Sequence, residues 1–553
     1  MIQFETVLEH VGEIGAAQVI LLCLYAYFNI PAGFNALATV FIAYTPDMRC
    51  KVPPLDNATA FPNLTEAGIL NLTTPYTKGS YDGCYRYDQN LESCALNLTC
   101  INQTNGLIAC DRGYHYDTTV LTETVVTEFD LVCDNKYLNT LATSLYYLGM
   151  LIGSFAFGNF ADAFGRKLCC VITFTGCLAC MFGLSFSHSV AVYMVLRVGI
   201  AAFAYGSTLG TFVYIMEVTG EKWRTTFGIC YQIAFPLGYM ILGGVAYNWR
   251  NWHDIMLVVT LLSLPFLIFA LMIPESPRWL FAKSKTKAGI KVSKLMARIN
   301  RKNIPENFWE KVVDEKDQKE VSTKKHTFID LFRDKKTLLI TLNVMFNWFV
   351  NSLVYYGVSL NAGALAGDLY LNNTLNGVME ITSFIIYLFA IAGPSRKKNH
   401  VVSSIICGWN RLVSKCNCLI TLGVAFAFVG KIGISGSFAV IYNFTSELYP
   451  TVLRSNGVGV GSMASRVGGI VCPFVISLQD YVAWLPNTIF GVFGIAAALL
   501  SLAFPETNHH PMMETLEEAI EFYKNGNNKT NDKTEPISTE YDNDAFQDQM
   551  TKI

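Results

Sequence analysis

Glu217-Val-Thr-Gly-Glu-Lys-Trp-Arg224 and Glu447-Leu-Tyr-Pro-Thr-Val-Leu-Arg454 decide the fold of this chain, because each closes an apolar run and the two are offset by 230 residues. Two further matches keep the same register. Arg166-Lys167 recurs as Arg396-Lys397, again 230 residues on, and Pro274-Glu275-Ser276 recurs as Pro505-Glu506-Thr507 at an offset of 231. One such coincidence carries little weight, but three in register mark a duplicated chain. Duplicated apolar halves are the architecture of carriers that hold their substrate between repeats near the bilayer midplane.

Outward from these anchors, the chain consists of apolar runs about 20 residues long, the length a helix needs to cross hydrocarbon. Of the 553 residues 52% are hydrophobic and only 15% charged, whereas soluble domains carry roughly 25% charged residues. The fold class expected is an all-α membrane protein of twelve transmembrane helices in two six-helix pseudo-repeats. A cytosolic N-terminus (1–16) leads into a first half over 17–273, interrupted by a large loop at 45–136. A linker (274–336), a second half (337–504) and a largely disordered tail (505–553) follow. The first apolar run, Ala16 to Tyr44, is too long for a signal-peptide core and reads as the first span.

The large loop holds Cys50, Cys84, Cys94, Cys100, Cys110 and Cys133, together with N-x-S/T sequons at Asn57, Asn63, Asn71, Asn97 and Asn102. An even cysteine count beside clustered glycan acceptors indicates an oxidised, extracellular segment with disulfides, whose pairing six cysteines leave open. Zinc is the rival reading, but no Cys-x-x-Cys with companion histidines accompanies them, and no metal is expected. Charge gives the same orientation. Residues 281–336 carry 16 Lys/Arg against 8 Asp/Glu, which places that segment and both termini in the cytosol. The tail is acidic, with 11 Asp/Glu against 4 Lys/Arg, and has one amphipathic stretch near Met513 to Lys524.

Asp162-Ala-Phe-Gly165-Arg166-Lys167 forms a short basic turn after the second span. With Glu217, Arg224, Glu275, Arg278, Glu447 and Arg454 it suggests cytosolic ion-pair clusters that hold the halves closed on the inner side. A plain positive-inside signal is the simpler alternative.

These motifs bring a known family into view. D-x-x-G-R-K after the second span, Pro274-Glu-Ser-Pro-Arg-Trp-Leu280 after the sixth and Thr445-Ser-Glu-Leu-Tyr-Pro-Thr-Val-Leu-Arg454 after the tenth resemble solute carrier family 22, the organic-ion branch of the major facilitator superfamily. Thr127-Glu-Phe-Asp-Leu-Val-Cys133 and the cysteine-rich loop are similar too, and the likeness spans about residues 5–508. It is greatest to the carnitine and organic-cation members. The second copy of the basic turn departs from the pattern: Ala392 and Ser395 stand where Asp and Gly are expected, and the ninth span carries Asn410, Arg411, Lys415 and Asn417.

Ionisable residues inside spans are functional hypotheses by default. Arg197, beside Tyr193, reads as a structural or snorkelling cation. Glu380, Lys431 and Arg466, with Tyr355, Tyr356 and Phe384, are the candidates for the substrate site. The resemblance implies that Arg at position 466 marks anion- and carnitine-type members; a guanidinium binds a carboxylate in bidentate fashion. Glu380 and the aromatic rings suit a quaternary ammonium. Alternatively Glu380 pairs with Lys431 or Arg466 and neither touches substrate. The resulting expectation is a carrier of organic cations or carnitine-like zwitterions working by alternating access. An organic-anion exchanger and a non-transporting relative are the rivals. Lipid and a small organic ion are the expected partners, with self-association possible through the outer loop. A net charge of −2 without basic aromatic tracts points away from nucleic acid, and the lack of a phosphate-cradling loop or nucleophile set points away from an enzyme or a cofactor.

Overall fold

The computed structural model describes residues 4–56, 65–77, 80–88, 106–314, 328–361, 367–390, 396–413, 420–450, 452–507, 513 and 515–525. Asn57, Asn63, Asn97, Asn102, Cys94, Cys100, Ala392, Ser395, Lys415 and Asn417 fall outside the described residues. So does the tail beyond 525.

The first half is built on α1 (Ala16–Leu37), α2 (Lys136–Phe164), α3 (Arg166–Leu184), α4 (Val190–Val218), α5 (Arg224–Asn248) and α6 (Trp252–Ser263, continued by Pro265–Met272). The second half has α7 (Lys335–Leu360), α8 (Leu369–Ala390), α9 (Arg396–Val413), α10 (Ile420–Leu448), α11 (Arg454–Ser477) and α12 (Leu485–Ser501). Among the described residues nine helices are long and apolar enough to cross a membrane; α8, α9 and α12 fall short of that measure. The reasons are local. Asn372, Asn373, Asn376 and Glu380 dilute α8, Arg396-Lys-Lys-Asn opens α9, and α12 has 17 residues.

The duplication read from sequence reappears as packing. Within the first half α2 lies on α4, α3 on α4, and α1 on α5; within the second, α8 lies on α10, α9 on α10, and α7 on α11. The halves meet through α2 against α11 and α5 against α8, a symmetric pair of seams. Close helix approach uses small residues, as expected where lipid supplies no hydrophobic drive between helices. Gly238 of α5 sits against the Ile30 carbonyl of α1, and its repeat mate Gly468 of α11 sits against the Phe349 carbonyl of α7; a Cβ at either would collide with that backbone.

The segment between α1 and α2 folds on one face of the bundle, here the loop face. It contains three antiparallel strand pairs: β1 (Met48–Cys50) with β6 (Tyr114–Tyr116), β2 (Tyr76–Thr77) with β3 (Ser80–Tyr81), and β4 (Tyr85–Tyr87) with β5 (Leu107–Ala109). Disulfides Cys50–Cys110 and Cys84–Cys133 staple it, so four of the six cysteines pair as an oxidised loop requires. Buried Arg49 adds a 2.6 Å ion pair to Asp56. Asn71, whose side chain accepts from the Tyr81 hydroxyl, is the described sequon. Leu121, Val125, Val126, Leu131 and Val132 then dock the loop into the main core.

The opposite, linker face carries the linker helices and the described ends of the chain. Asn300 caps the start of α1 through the Ala17 amide (2.8 Å) and bonds Gln18 at 2.9 Å. Tyr523, on a helix over Leu516–Asn525, donates to the Leu448 carbonyl at 2.5 Å.

Candidate functional site

α8 must place a carboxylate in the bundle interior, where an unpaired charge is very costly. Glu380 solves this with three partners. Lys431 of α10 stands 2.7 Å from its Oε2, the Tyr355 hydroxyl of α7 donates at 2.9 Å, and the Tyr239 hydroxyl of α5 donates at 3.0 Å. Lys431 has no exposed side-chain surface and Glu380 has 3%. The ammonium also donates to Ser359 at 2.8 Å and lies 3.8 Å from the centre of the Tyr355 ring. The carboxylate thus sits on the α5–α8 seam, held by both halves.

Arg466 stands on the far side of Tyr356, with which it also interacts. It projects from α11 toward Tyr205 of α4, donating to the hydroxyl with its guanidinium 4.0 Å from the ring centre. Among the described residues it makes no ion pair, and its buried Nε has no hydrogen-bond partner. Tyrosines line the space nearby: Tyr147 of α2 packs 4.5 Å from Tyr356, which packs 5.2 Å from Tyr355. The buried Tyr147 hydroxyl is likewise unpartnered. Of the residues expected at the site, Tyr355, Glu380 and Lys431 converge, Tyr356 is one ring away, and Arg466 lies toward the other seam. Of the two pairings left open for Glu380, the structure shows the one with Lys431 and not the one with Arg466. Phe384 packs instead in the second half's own core with Trp348 and Tyr387. Arg197 is buried and structural, donating to Thr39 at 2.7 Å and lying 4.4 Å over the Tyr146 ring.

Sequence reasoning missed the first-half contributors Tyr147, Tyr205 and Tyr239. Tyrosine is abundant in this chain, with 27 copies, so no single one stands out without the helix orientations.

On the linker face the repeated motif residues do assemble. Arg166 bridges Glu217 at 2.8 Å and Asp162 at 2.9 Å. Glu275 accepts from the Arg166 amide at 2.9 Å and from the Lys167 amide at 3.2 Å, a carboxylate at the start of α3. Arg224 and Arg278 both reach Glu5, at 2.7 and 3.3 Å. Ser276 donates to Glu217 at 2.5 Å, and its repeat mate Thr507 donates to Glu447 at 2.9 Å. These first-half ion pairs stay within the first half. They brace α2, α3, α4 and the linker, while Glu221, just before α5, is an electrostatic neighbour of Arg454 of the second half. The side chains of Arg396 and Arg411 are outside the described residues, and Arg454 is buried at its Nε on the same face.

Gly165, between α2 and α3, has φ +112°, and a Cβ there would strike the Glu275 carboxylate. Gly165→Ala should cost about 1–3 kcal/mol from the backbone alone and also disturb the Glu275 cap. A thermal melt in detergent checks this, and a wild-type midpoint would refute it.

Several bonds cross between the halves away from the linker face. They include Tyr239–Glu380, Arg466–Tyr205, Ser144 to the Ile470 carbonyl (2.9 Å) and, on the loop face, Lys136–Asp480 (2.7 Å) and Tyr370 to the Val120 carbonyl (2.7 Å). These bonds join the halves from the middle of the bundle to the loop face.

Two pseudo-repeated helical halves with a polar site on their seams define a membrane carrier of the major facilitator type. A family profile described as sugar (and other) transporter matches residues 95–519. Solute carrier family 22 member 16 of Xenopus laevis is 32% identical over 537 residues, covering 94% of each chain. The organic cation transporter protein of Drosophila melanogaster is 33% identical over 545 residues, covering 94% of this chain and 95% of its own. A Drosophila melanogaster β-alanine transporter is 32% identical over 549 residues, covering 93% and 89%. Among solved structures, the inward-open xylose transporter of E. coli matches with a TM-score of 0.58 at 15% identity, covering 91% of this chain and 99% of its own. The chain belongs to solute carrier family 22.

Proposed function

We propose that this membrane transporter of small organic ions carries carnitine-like zwitterions, with organic cations as the neighbouring class, by alternating access through twelve spanning helices. In this reading the loop face is extracellular and the linker and both termini are cytosolic, in the plasma membrane. The chain acts as a carrier and not as an enzyme. The observation that carries the substrate reading is the buried Arg466, which has no carboxylate partner among the described residues, while Glu380 already has Lys431. One cation in excess at the centre suits a substrate carboxylate, which a guanidinium binds bidentately. The rings of Tyr147, Tyr355 and Tyr356 offer π-faces for the ammonium end. The relative named for β-alanine, itself a zwitterion, supports the same class.

The two seams suit alternating access. Opening on the loop face requires the Tyr239–Glu380 and Lys136–Asp480 contacts to part, and substrate binding between the halves biases that equilibrium. An organic-anion exchanger is the second reading, favoured by the same excess charge on Arg466. Uptake of labelled carnitine, tetraethylammonium and a small aryl carboxylate into expressing cells separates the possibilities. Carnitine is expected to accumulate. Accumulation of tetraethylammonium alone would end the zwitterion reading, and of the aryl carboxylate alone would favour exchange of anions. No uptake despite surface protein would point to a non-transporting relative.

A further inference from the structure

We infer that Glu128, His188 and His253 form a zinc-binding site on the loop face. The three come from segments distant in sequence. Glu128 ends a short helix, Val125–Glu128, whose start is closed by a reciprocal Thr124–Thr127 cap. His188 lies in the turn between α3 and α4, and His253 is in the first turn of α6. Their ligating atoms all lie within 4.8 Å of one another.

The geometry around Glu128 and His253 carries the argument. Its Nδ1 is 3.0 Å from the Ser185 carbonyl oxygen. A carbonyl only accepts, so Nδ1 holds the hydrogen. Nε2, across the ring, faces Glu128 Oε2 at 2.9 Å. That nitrogen and that oxygen are within reach of one bound cation. The same carboxylate is oriented by the Trp252 indole, which donates at 2.6 Å, and its other oxygen faces His188 Nδ1 at 3.4 Å. Two imidazole nitrogens and one carboxylate oxygen form a set that zinc accepts, with water in a fourth position. A backbone carbonyl on the far nitrogen of one histidine and a donor on the carboxylate are the supports that orient such ligands. Glu128 and His253 are mostly covered, whereas the His188 side chain is 80% exposed and free to close over the ion. A bound ion engages all three side chains at once, His188 through the carboxylate oxygen that its Nδ1 already faces.

All three ligands belong to the first half or to the loop docked on it. Zinc would thus rivet the loop to the α3–α4 and α5–α6 turns without joining the halves. The test uses the full-length protein in detergent, stripped with chelator and titrated with zinc chloride or cobalt(II) chloride. Expected are one saturable equivalent, a higher melting temperature, and a cobalt ligand-field spectrum of tetrahedral type. His188→Asn, whose side chain is 80% exposed, should leave the melting temperature of the metal-free protein unchanged and weaken binding by at least about tenfold, and His253→Asn should abolish the cobalt spectrum. No saturable binding to the wild type, or the same binding in both variants, would overturn the site.

Discussion

Lys431→Ala is expected to lower the melting temperature and surface level sharply and to remove uptake, because it strands Glu380. The pair is 2.7 Å apart with essentially no exposed side-chain surface. Removing one partner of such a pair costs about 3–5 kcal/mol, far more than the pair itself contributes over apolar replacements. That asymmetry gives a second expectation. Glu380→Gln combined with Lys431→Met removes both charges while keeping hydrogen-bonding capacity for Tyr239 and Tyr355, so it should return most of the stability. Uptake should stay low in the double variant, since the cross-half bond from Tyr239 to a carboxylate is part of the moving seam. Melting curves of the purified single and double variants read the first effect, and uptake normalised to surface protein reads the second. A Lys431→Ala protein as stable as the wild type would show that Glu380 has another route to neutrality. Full uptake by the double variant would make the pair purely structural.

The fold was legible because duplication leaves a fixed offset, and helix packing preserves it: Gly238 and Gly468, or Ser276 and Thr507, play matching parts in the two halves. The loop's oxidised character was legible from cysteine parity, but its pairing was not, since contacts over 49 and 60 residues depend on how short strands cross. Site residues were legible as charges out of place in apolar runs. Partner choice was less so. Whether Glu380 meets Lys431 or Arg466 depends on the rotation of three helices about their axes, and no periodicity in a nearly uniform apolar span reports that rotation. The linker-face motif residues were found by repetition, yet repetition says where they lie along the chain and not which half they tie. The Glu128, His188 and His253 cluster left no signal at all, for its members are 60 and 65 residues apart and share no spacing motif. Only the docking of the loop on the α5–α6 turn brings them together.

Arg466→Asp carries the other large effect, and its direction separates the substrate classes. In the wild type the site holds Lys431 and Arg466 against Glu380, an excess of one positive charge among the described residues. The substitution turns that into an excess of one negative charge, and opposite charges buried at close range interact by several kcal/mol. A substrate carboxylate then meets an anion where it met a guanidinium, so carnitine uptake should fall by a hundredfold or more, in line with about 3 kcal/mol at roughly 1.4 kcal/mol per decade. Tetraethylammonium, with no carboxylate to lose, should be unaffected or gain. Arg466→Lys keeps the charge but not the planar fork, and should retain part of the carnitine uptake, which distinguishes charge from bidentate geometry. Because Arg466 bonds Tyr205 across the α4–α11 contact, stability of each variant must be measured beside transport. A silent Arg466→Asp, folded and carrying carnitine at the wild-type rate, would place the carboxylate elsewhere and leave Arg466 as a prop between the halves.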